Sequence, residues 1–502
     1  MRFLLGAAGL LGLLKLAIQL AAVPGYGIFR DELYYLACGR RLAWGYVEFP
    51  PLIAAVTKAM TSAFGDGLFG IRLAPALAGA ALVVLTCLFA REFGGGRFAQ
   101  VLAGMAVIAA PVWLLLHHFL SPNAFEPLFW MGCAWLFVRY AKTGDAGLWL
   151  WFGLVAGVGL MNKHSMLLFG FGLVAGMLFT PARAAFRERR LWLGGAIAFL
   201  IFLPHLVWQV REGFPLIEFL RRADQVKNYI QSPVEFFTAQ AIMLHPLLLP
   251  LWLAGLWFLF SSAGRQWRPL GWAYVVVFGL LVLLHGKPYY LVPVYPMLLA
   301  AGAVLLERAI ERRNWNWLKP ATVAAVVAGG VVMAPLTLPV LPVETYIRYA
   351  ATLGISEVRT ERHQMGRLPQ VYADMHGWEN MAARVAEVYH ALPPEERQQA
   401  VVFAQNYGEA GAIEYFAPRY GLPRAISGHN SYWLWGPDAA GGVLIGIGGK
   451  AAGYHEVFED VRREGTITHP YAMPYESNLP IWVCRKPKIP LRQVWPRVKH
   501  FS

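Results

Sequence analysis

Residues 24–51 read PGYGIFRDELYYLACGRRLAWGYVEFPP, and this stretch decides how the whole chain is interpreted. It carries the adjacent carboxylates Asp31 and Glu32, followed by a Tyr-Tyr pair and by a third carboxylate, Glu48, before two prolines. Long apolar runs flank it on both sides. A segment this polar between membrane-spanning runs must lie at a membrane surface or line a cavity. We therefore predict that it is the active-site loop of an integral membrane enzyme.

The composition agrees with a polytopic membrane protein. Of 502 residues, 57% are hydrophobic and only 15% are charged, which is too apolar for a soluble chain of this length. The net charge of +14 would suggest a nucleic-acid partner in a soluble protein. In a membrane protein, basic residues gather in cytoplasmic loops and near anionic headgroups, so we expect membrane lipids as partners and no nucleic acid.

The apolar runs predict about eleven transmembrane helices, the first of them retained rather than cleaved. They fall near residues 1–23, 68–90, 98–116, 124–141, 146–162, 165–181, 191–210, 241–260, 270–285, 289–306 and 320–341.

Basic residues set the predicted orientation. With the N-terminus inside, the cytoplasmic loops are richer in Lys and Arg than the opposite loops, as expected. These are the loops near residues 91–97, 139–147, 181–190, 261–269 and 306–319. The loop of Asp31 then faces outward, and an odd number of spans places everything after Pro342 outside as well.

The chain divides at that point. Residues 1–342 form the predicted transmembrane domain, and residues 343–502 a soluble α/β domain of about 160 residues, a common domain size. Helical spacing at 378–390 and strand-like runs at 400–404, 442–447 and 481–484 support it. Cys38 and Cys484 share the predicted compartment, so a disulfide between them stays an open alternative.

The loop sequence resembles a known superfamily. Asp-Glu-x-Tyr-Tyr followed by Trp-Gly-Tyr-x-x-x-Pro-Pro-Leu is similar to the first extracytoplasmic loop of GT-C membrane glycosyltransferases. Its branch of closest resemblance contains the protein O-mannosyltransferases and the lipid A aminoarabinose transferases. The resemblance implies a GT-C fold and assigns the catalytic base to Asp31. Family members often carry Asp-His or Glu-Lys before the two prolines, where this chain has Glu48-Phe49, so another cation must contact the donor phosphate.

The three carboxylates have alternative interpretations. Neighbouring residues on a helix point about 100° apart, so either Asp31 or Glu32 is expected to face the reacting centre while the other holds structure. One carboxylate is enough, because a phosphate leaving group needs little acid catalysis. The alternative is a solvated or helix-terminal pair. Glu48 is expected to recognise the sugar or acceptor or to serve as a second base, or else to pair with Arg40 or Arg41.

No cofactor is predicted. The resemblance leads us to expect an Asp near the start of the fourth span, and this position holds Asn123, with Glu126 one turn further on. An amide can bind a sugar but is a weak metal ligand, which argues against a divalent cation bridging two acidic loops. Asn123 is therefore predicted to bind substrate.

Cations and aromatic residues at two other outward turns complete the predicted site. Lys163 and Lys287 resemble the lysines of the family at these turns and are predicted to bind the donor phosphate. Tyr289 and Tyr290 are predicted to contact the sugar, and His285 is predicted to bind substrate. The alternative is a pair of snorkelling lysines with an interfacial aromatic belt.

We therefore predict an inverting glycosyltransferase of the bacterial inner membrane, with its active site and C-terminal domain in the periplasm. It would transfer a monosaccharide from a polyprenyl phosphate, such as undecaprenyl phosphate, to a protein, lipid A or a cell-envelope glycan. A transporter or flippase of lipid-linked glycans is the main alternative, but its charges usually lie near the membrane midplane. The notable charges of this chain gather on one side. A non-catalytic scaffold would leave that clustering unexplained.

Overall fold

The computed structural model describes residues 2–226, 231–355, 364–437 and 442–502, with the side chains of 2–5 and 223–226 excepted. The first part of the chain is helical. Its helices are Arg2–Ala22, Arg30–Arg40, Leu52–Phe64, Leu68–Glu92, Arg97–Ala109, Pro111–Leu116, Pro122–Thr143, Leu148–Asn162, Met166–Leu178, Arg189–Arg211, Pro215–Val226, Pro233–Leu244, Leu249–Phe260, Arg268–Leu283, Tyr295–Arg313 and Leu318–Thr337, with 3-10 turns at Pro181–Arg187, Pro246–Leu248, Arg265–Trp267 and Pro288–Val294.

All eleven predicted spans coincide with helices. The number of helices that could cross a membrane without interruption is smaller than eleven. Within the described residues, five helices are long and apolar enough to cross a membrane, or seven if each of two bent pairs is one span. Two of the interruptions fall at prolines, which lack the N–H that continues a helix. Pro111 separates two helices in the predicted span 98–116, and the chain bends by 100° around Pro246.

The bundle is held by close helix crossings and by a buried cap. A Cβ added at Gly255 would lie 1.9 Å from the Leu298 carbonyl oxygen, so the helices Leu249–Phe260 and Tyr295–Arg313 touch backbone to backbone. Glu307, buried in the latter helix, accepts hydrogen bonds from Gly96 N–H at 2.5 Å and Ala99 N–H at 3.2 Å. Its carboxylate therefore caps the helix that begins at Arg97, where backbone N–H groups lack internal partners.

The last part of the chain combines helices with one sheet. Its helices are Val343–Thr352, Gln370–Ala373, Trp378–Ala391, Pro394–Gln399, Tyr407–Tyr420, Ser431–Trp435, Ala451–Val457 and Leu491–Val494, with 3-10 turns at Pro474–Glu476 and Trp495–Val498. Its strands are β1 (Ala400–Ala404), β2 (Ala425–Ser427), β3 (Val443–Ile447), β4 (Phe458–Ile467) and β5 (Leu479–Pro487).

The sheet has the order β2-β1-β3-β5-β4. β1 pairs in parallel with β2 and β3, whereas β5 pairs antiparallel with β3 and β4. The three predicted strands correspond to β1, β3 and β5. The other two escaped the sequence analysis because β2 has only three residues and β4 is a charged, largely exposed edge strand.

The sheet part packs directly on the polar loop. The loop contains the helix Arg30–Arg40, and a Cβ added at Gly411 would lie 2.9 Å from Leu33 Cβ, so the helix Tyr407–Tyr420 fits closely against it. Tyr34 and Cys38 share one hydrophobic core with Val402 of β1. Cys38 and Cys484 are both buried as free thiols. The division into domains at residue 343 stays a prediction.

Candidate active site

Glu32 is the buried member of the carboxylate pair, and its partners all lie within the protein. It is fully buried, and Phe29 N–H donates to its Oε2 at 2.9 Å, which caps the start of the helix Arg30–Arg40. Leu120 N–H donates to Oε1 at 2.9 Å. Arg72 contacts both oxygens, Nε to Oε1 at 3.1 Å and a terminal nitrogen to Oε2 at 2.9 Å. Both carboxylate oxygens are thus engaged within the protein, which favours a positioning role for Glu32 over the predicted catalytic one.

Arg72, which the sequence analysis did not single out, is the buried partner of Glu32. It is fully buried in the helix Leu68–Glu92, and besides Glu32 it donates to the carbonyls of Gly27 at 2.8 Å and Val23 at 3.3 Å. His118 Nε2 lies 3.3 Å away. An arginine inside an apolar run is costly unless paired, and that is the signal that marks it. Arg72 therefore holds the start of the polar loop in place. Through Glu32 it also stabilises the first turn of the helix Arg30–Arg40.

Asp31 points in a different direction, as adjacent positions on a helix require. Its Oδ1 accepts a hydrogen bond of 2.8 Å from the hydroxyl of Tyr407, which belongs to the C-terminal part of the chain. Burial, and next the Asp31 carboxylate, raise the pKa of Tyr407 well above its ordinary value, so its hydroxyl stays protonated. The guanidinium of Arg30 lies 4.8 Å over the Tyr407 ring. Tyr407 was not predicted, because one tyrosine carries no sequence signal at a separation of 376 residues.

Glu48 also binds the C-terminal part of the chain. Asn430 Nδ2 donates to its Oε1 at 2.8 Å, and the Tyr34 hydroxyl donates to its Oε2 at 3.2 Å. The arginines considered as its alternative partners pair with other carboxylates: Arg41 with Glu414 at 2.6 Å, and Arg40 with Asp66 at 3.5 Å.

Lys163 lies among polar and aromatic groups of the bundle. Its Nζ donates to Asn123 Oδ1 at 2.6 Å and to Glu126 Oε2 at 2.8 Å, and it lies 4.6 Å over the ring of Tyr290. Ser165 Oγ donates to the other oxygen of Glu126. The structure therefore brings Asn123 and Lys163 together, and it adds Glu126 as the carboxylate that neutralises Lys163.

The tyrosine pair links this lysine to the carboxylates. The rings of Tyr289 and Tyr290 lie edge to face at 4.7 Å. Burial raises the pKa of Tyr35 well above its ordinary value, and Asp31, Glu48 and Tyr289 lie close enough to raise it further. Asp31 and Glu48 thus share one neighbourhood with the turn that carries Tyr289.

The two remaining predicted residues, His285 and Lys287, precede the tyrosine pair in the same turn. Lys287 is half-buried and lies close enough to Tyr290 to interact with it electrostatically. His285 is exposed just beyond the end of the helix Arg268–Leu283 and has a φ of +52°. Among the described residues, no group of three or more His, Cys, Asp or Glu side chains could hold a metal ion.

Comparisons with known proteins show that this helical bundle, with its polar loop packed on a C-terminal sheet, has the GT-C fold. The structure of ArnT from Cupriavidus metallidurans in the apo state aligns with a TM-score of 0.62 at 17% identity, covering 94% of this chain and 97% of that one. ArnT bound to undecaprenyl phosphate aligns with a TM-score of 0.61. The oligosaccharyltransferase AglB from Archaeoglobus fulgidus aligns with a TM-score of 0.50 at 11% identity, covering 85% of this chain and 69% of that one.

Sequence comparisons agree with the resemblance of the first loop. Residues 48–208 match the family model of dolichyl-phosphate-mannose-protein mannosyltransferases. The lipid A galacturonosyltransferase RgtD of Rhizobium johnstonii is 27% identical over 230 residues, which cover 44% of this chain. The aligned part spans about half of that curated relative, 47% of its length. The resemblance to GT-C glycosyltransferases is thereby confirmed.

Proposed function

We propose that the protein is an inverting glycosyltransferase that moves a monosaccharide from a polyprenyl phosphate to an acceptor on the outer side of the bacterial inner membrane. The observation that carries the proposal is the convergence of two carboxylates, Asp31 and Glu48, with the turn Lys287–Tyr290 and with Lys163. A group-transfer site that handles a lipid phosphate needs a base and a cation near one another, and this cluster supplies both.

The reaction follows from these roles. The Asp31 carboxylate removes the proton of an acceptor hydroxyl while the acceptor oxygen attacks the anomeric carbon. The bond from that carbon to the phosphate oxygen breaks, and the polyprenyl phosphate leaves with the electron pair. The single displacement inverts the anomeric configuration. In this proposal Lys163 and Lys287 attract the phosphate by charge-assisted hydrogen bonds, and Tyr289 and Tyr290 contact the sugar.

The relatives support a lipid-linked donor and a cell-envelope acceptor. ArnT has been solved with undecaprenyl phosphate, and RgtD is named for a transfer to lipid A. Lipid A is accordingly the first acceptor to test, before protein and other envelope glycans. The enrichment of Lys and Arg in the opposite loops supports a periplasmic active site and a periplasmic C-terminal domain.

The test is transfer from labelled undecaprenyl-phosphate monosaccharides to lipid A by the purified protein. We expect Asp31→Asn to abolish transfer, because it removes the base while keeping the shape of the side chain. Asp66→Asn is the matched control, since Asp66 is an exposed carboxylate after the next helix and pairs with Arg40. Transbilayer movement of intact donor by wild type, unchanged in Asp31→Asn and without bond cleavage, would favour the flippase.

A further inference from the structure

The C-terminal sheet faces the polar loop with the carboxyl ends of its parallel strands, and this is the end at which α/β sheets usually bind ligands. β1 lies between its parallel neighbours β2 and β3, so the chain leaves β1 at a point where the strand order reverses. Ligands of such sheets bind beyond the carboxyl ends of the strands at this position. Tyr407 follows β1 by three residues and Asn430 follows β2 by three. In this protein they meet the two carboxylates of the loop, Asp31 and Glu48.

We propose that Tyr407 and Asn430 are positioning residues of the active site, so that the C-terminal sheet is a component of the catalytic centre. Each holds one carboxylate of the loop in place, Tyr407 that of Asp31 and Asn430 that of Glu48. The inference rests on the proposed function and deepens it, because it assigns a role to the C-terminal part of the chain.

The Tyr407 side chain is fixed on every side. Its ring stacks on Tyr34 at 4.6 Å and on His429 at 4.8 Å, and its backbone N–H donates to His429 Nδ1 at 3.3 Å. Arg30 lies against the ring and donates to the Tyr475 hydroxyl at 3.1 Å. A ring packed in this way can direct its hydroxyl to only one place. The Asp31 carboxylate therefore has a preset orientation before substrate arrives.

Asn430 is fixed equally well. It is 1% exposed with a φ of +47°, a backbone conformation that residues other than glycine seldom adopt. Its N–H donates to the His500 carbonyl at 3.1 Å. The next residue, Ser431, donates its N–H to the Tyr34 hydroxyl at 3.0 Å, and Tyr34 donates in turn to Glu48. One short segment after β2 thus reaches Glu48 directly through Asn430 and indirectly through Tyr34.

The hydrogen bond from Tyr407 has a consequence that is specific to catalysis. A neutral hydroxyl that donates to a carboxylate favours its ionised form, which is the form that a general base needs. Without that bond, Asp31 should take up a proton at a higher pH and should sample orientations that miss the acceptor. A purely structural role for Tyr407 would lower the amount of folded enzyme without moving the pH profile.

The test compares Tyr407→Phe with wild type in transfer from an undecaprenyl-phosphate monosaccharide, with kcat, KM and the pH profile measured on folded, monodisperse protein. The substitution keeps the ring stack and removes the hydroxyl. We expect kcat to fall by at least about tenfold, because a misplaced base loses its alignment. KM for the donor should stay near that of wild type, and the acid limb of the profile should move to higher pH. Tyr415→Phe, which removes another hydroxyl from the same helix, should leave all three unchanged.

Asn430→Asp is an independent second variant of nearly the same shape. It places a carboxylate against Glu48, so its kcat should be low at high pH and recover as the pH falls. Wild-type kcat and pH profiles in both Tyr407→Phe and Asn430→Asp would overturn the inference and leave the proposed function standing. A wild-type enzyme that transfers no sugar would overturn both.

Discussion

The ammonium of Lys163 lies 2.8 Å from the carboxylate of Glu126. The Glu126 side chain is 4% exposed and that of Lys163 is 19% exposed, so the pair is weakly screened by solvent. In the proposed reaction, in which Lys163 binds the donor phosphate, Glu126 and that phosphate would therefore compete for the same cation.

This competition predicts opposite effects for the two partners. Glu126→Gln should lower KM for the donor by about fivefold, because it removes the competing charge and keeps an oxygen to accept from Ser165. Lys163→Met should raise KM by about tenfold or more. Donor titrations of the two variants measure both effects. Weaker donor binding by Glu126→Gln would show that Glu126 orients Lys163 rather than restraining it.

The buried pair of Arg72 and Glu32 predicts a large loss of stability in Arg72→Met. Removing the guanidinium leaves the Glu32 carboxylate buried without its counter-ion, which should cost about 3–5 kcal/mol of unfolding free energy. Thermal unfolding in detergent measures the loss. Arg40→Met, at an exposed pair, should change stability by less than about 1 kcal/mol. Equal losses in the two variants would contradict the role given to Arg72.

Glu409 and Glu476 predict a dependence of stability on pH. Burial, and next the neighbouring carboxylate, raise the pKa of Glu409 well above the ordinary 4.5, and burial raises that of Glu476 although Arg30 opposes it. The folded chain thus binds protons here more tightly than the unfolded chain does. Their contribution to stability is present below pH 4.5 and is lost as the pH rises through the folded-state values.

Glu476→Gln should weaken this dependence, because the amide can donate to Glu409 without titrating. We expect the variant to be more stable than wild type by about 1 kcal/mol at pH 8, with the advantage vanishing toward pH 4.5. Unfolding curves of both proteins recorded from pH 4.5 to pH 8 measure this difference in stability. Glu464→Gln, at an exposed position on β4, is the control and should follow wild type throughout.

Because Cys38 and Cys484 are free thiols in the structure, we predict that reducing agents do not change the stability of the protein. Burial raises the pKa of Cys38 well above its usual value and that of Cys484 to about 12, so neither thiol is ionised at neutral pH. We expect maleimide to label both only after unfolding, and dithiothreitol to leave the melting temperature unchanged. A drop of the melting temperature on reduction would instead reveal the disulfide that the sequence left open.

The parts of the fold that the sequence predicted depend on local patterns. Apolar runs located the helices, and short strand-like runs located β1, β3 and β5. Residues such as Asp31 and Lys163 stood out because charges next to membrane spans are costly. Tyr407 and Asn430 could not be found in this way, since a buried tyrosine and an asparagine in a turn look ordinary until the chain is folded. The missed part of the site is the part made by contacts between distant segments.

The hydrogen bond between Asp31 and Tyr407 joins residues 376 positions apart, so it cannot form until most of the chain has been synthesised. The helices around the polar loop can insert and pack long before that. The Asp31 carboxylate gains its Tyr407 partner only when the sheet folds against the loop. Completion of the candidate site is therefore among the last events in the maturation of this protein, and a nascent or truncated chain that lacks the sheet would carry Asp31 without its preset orientation.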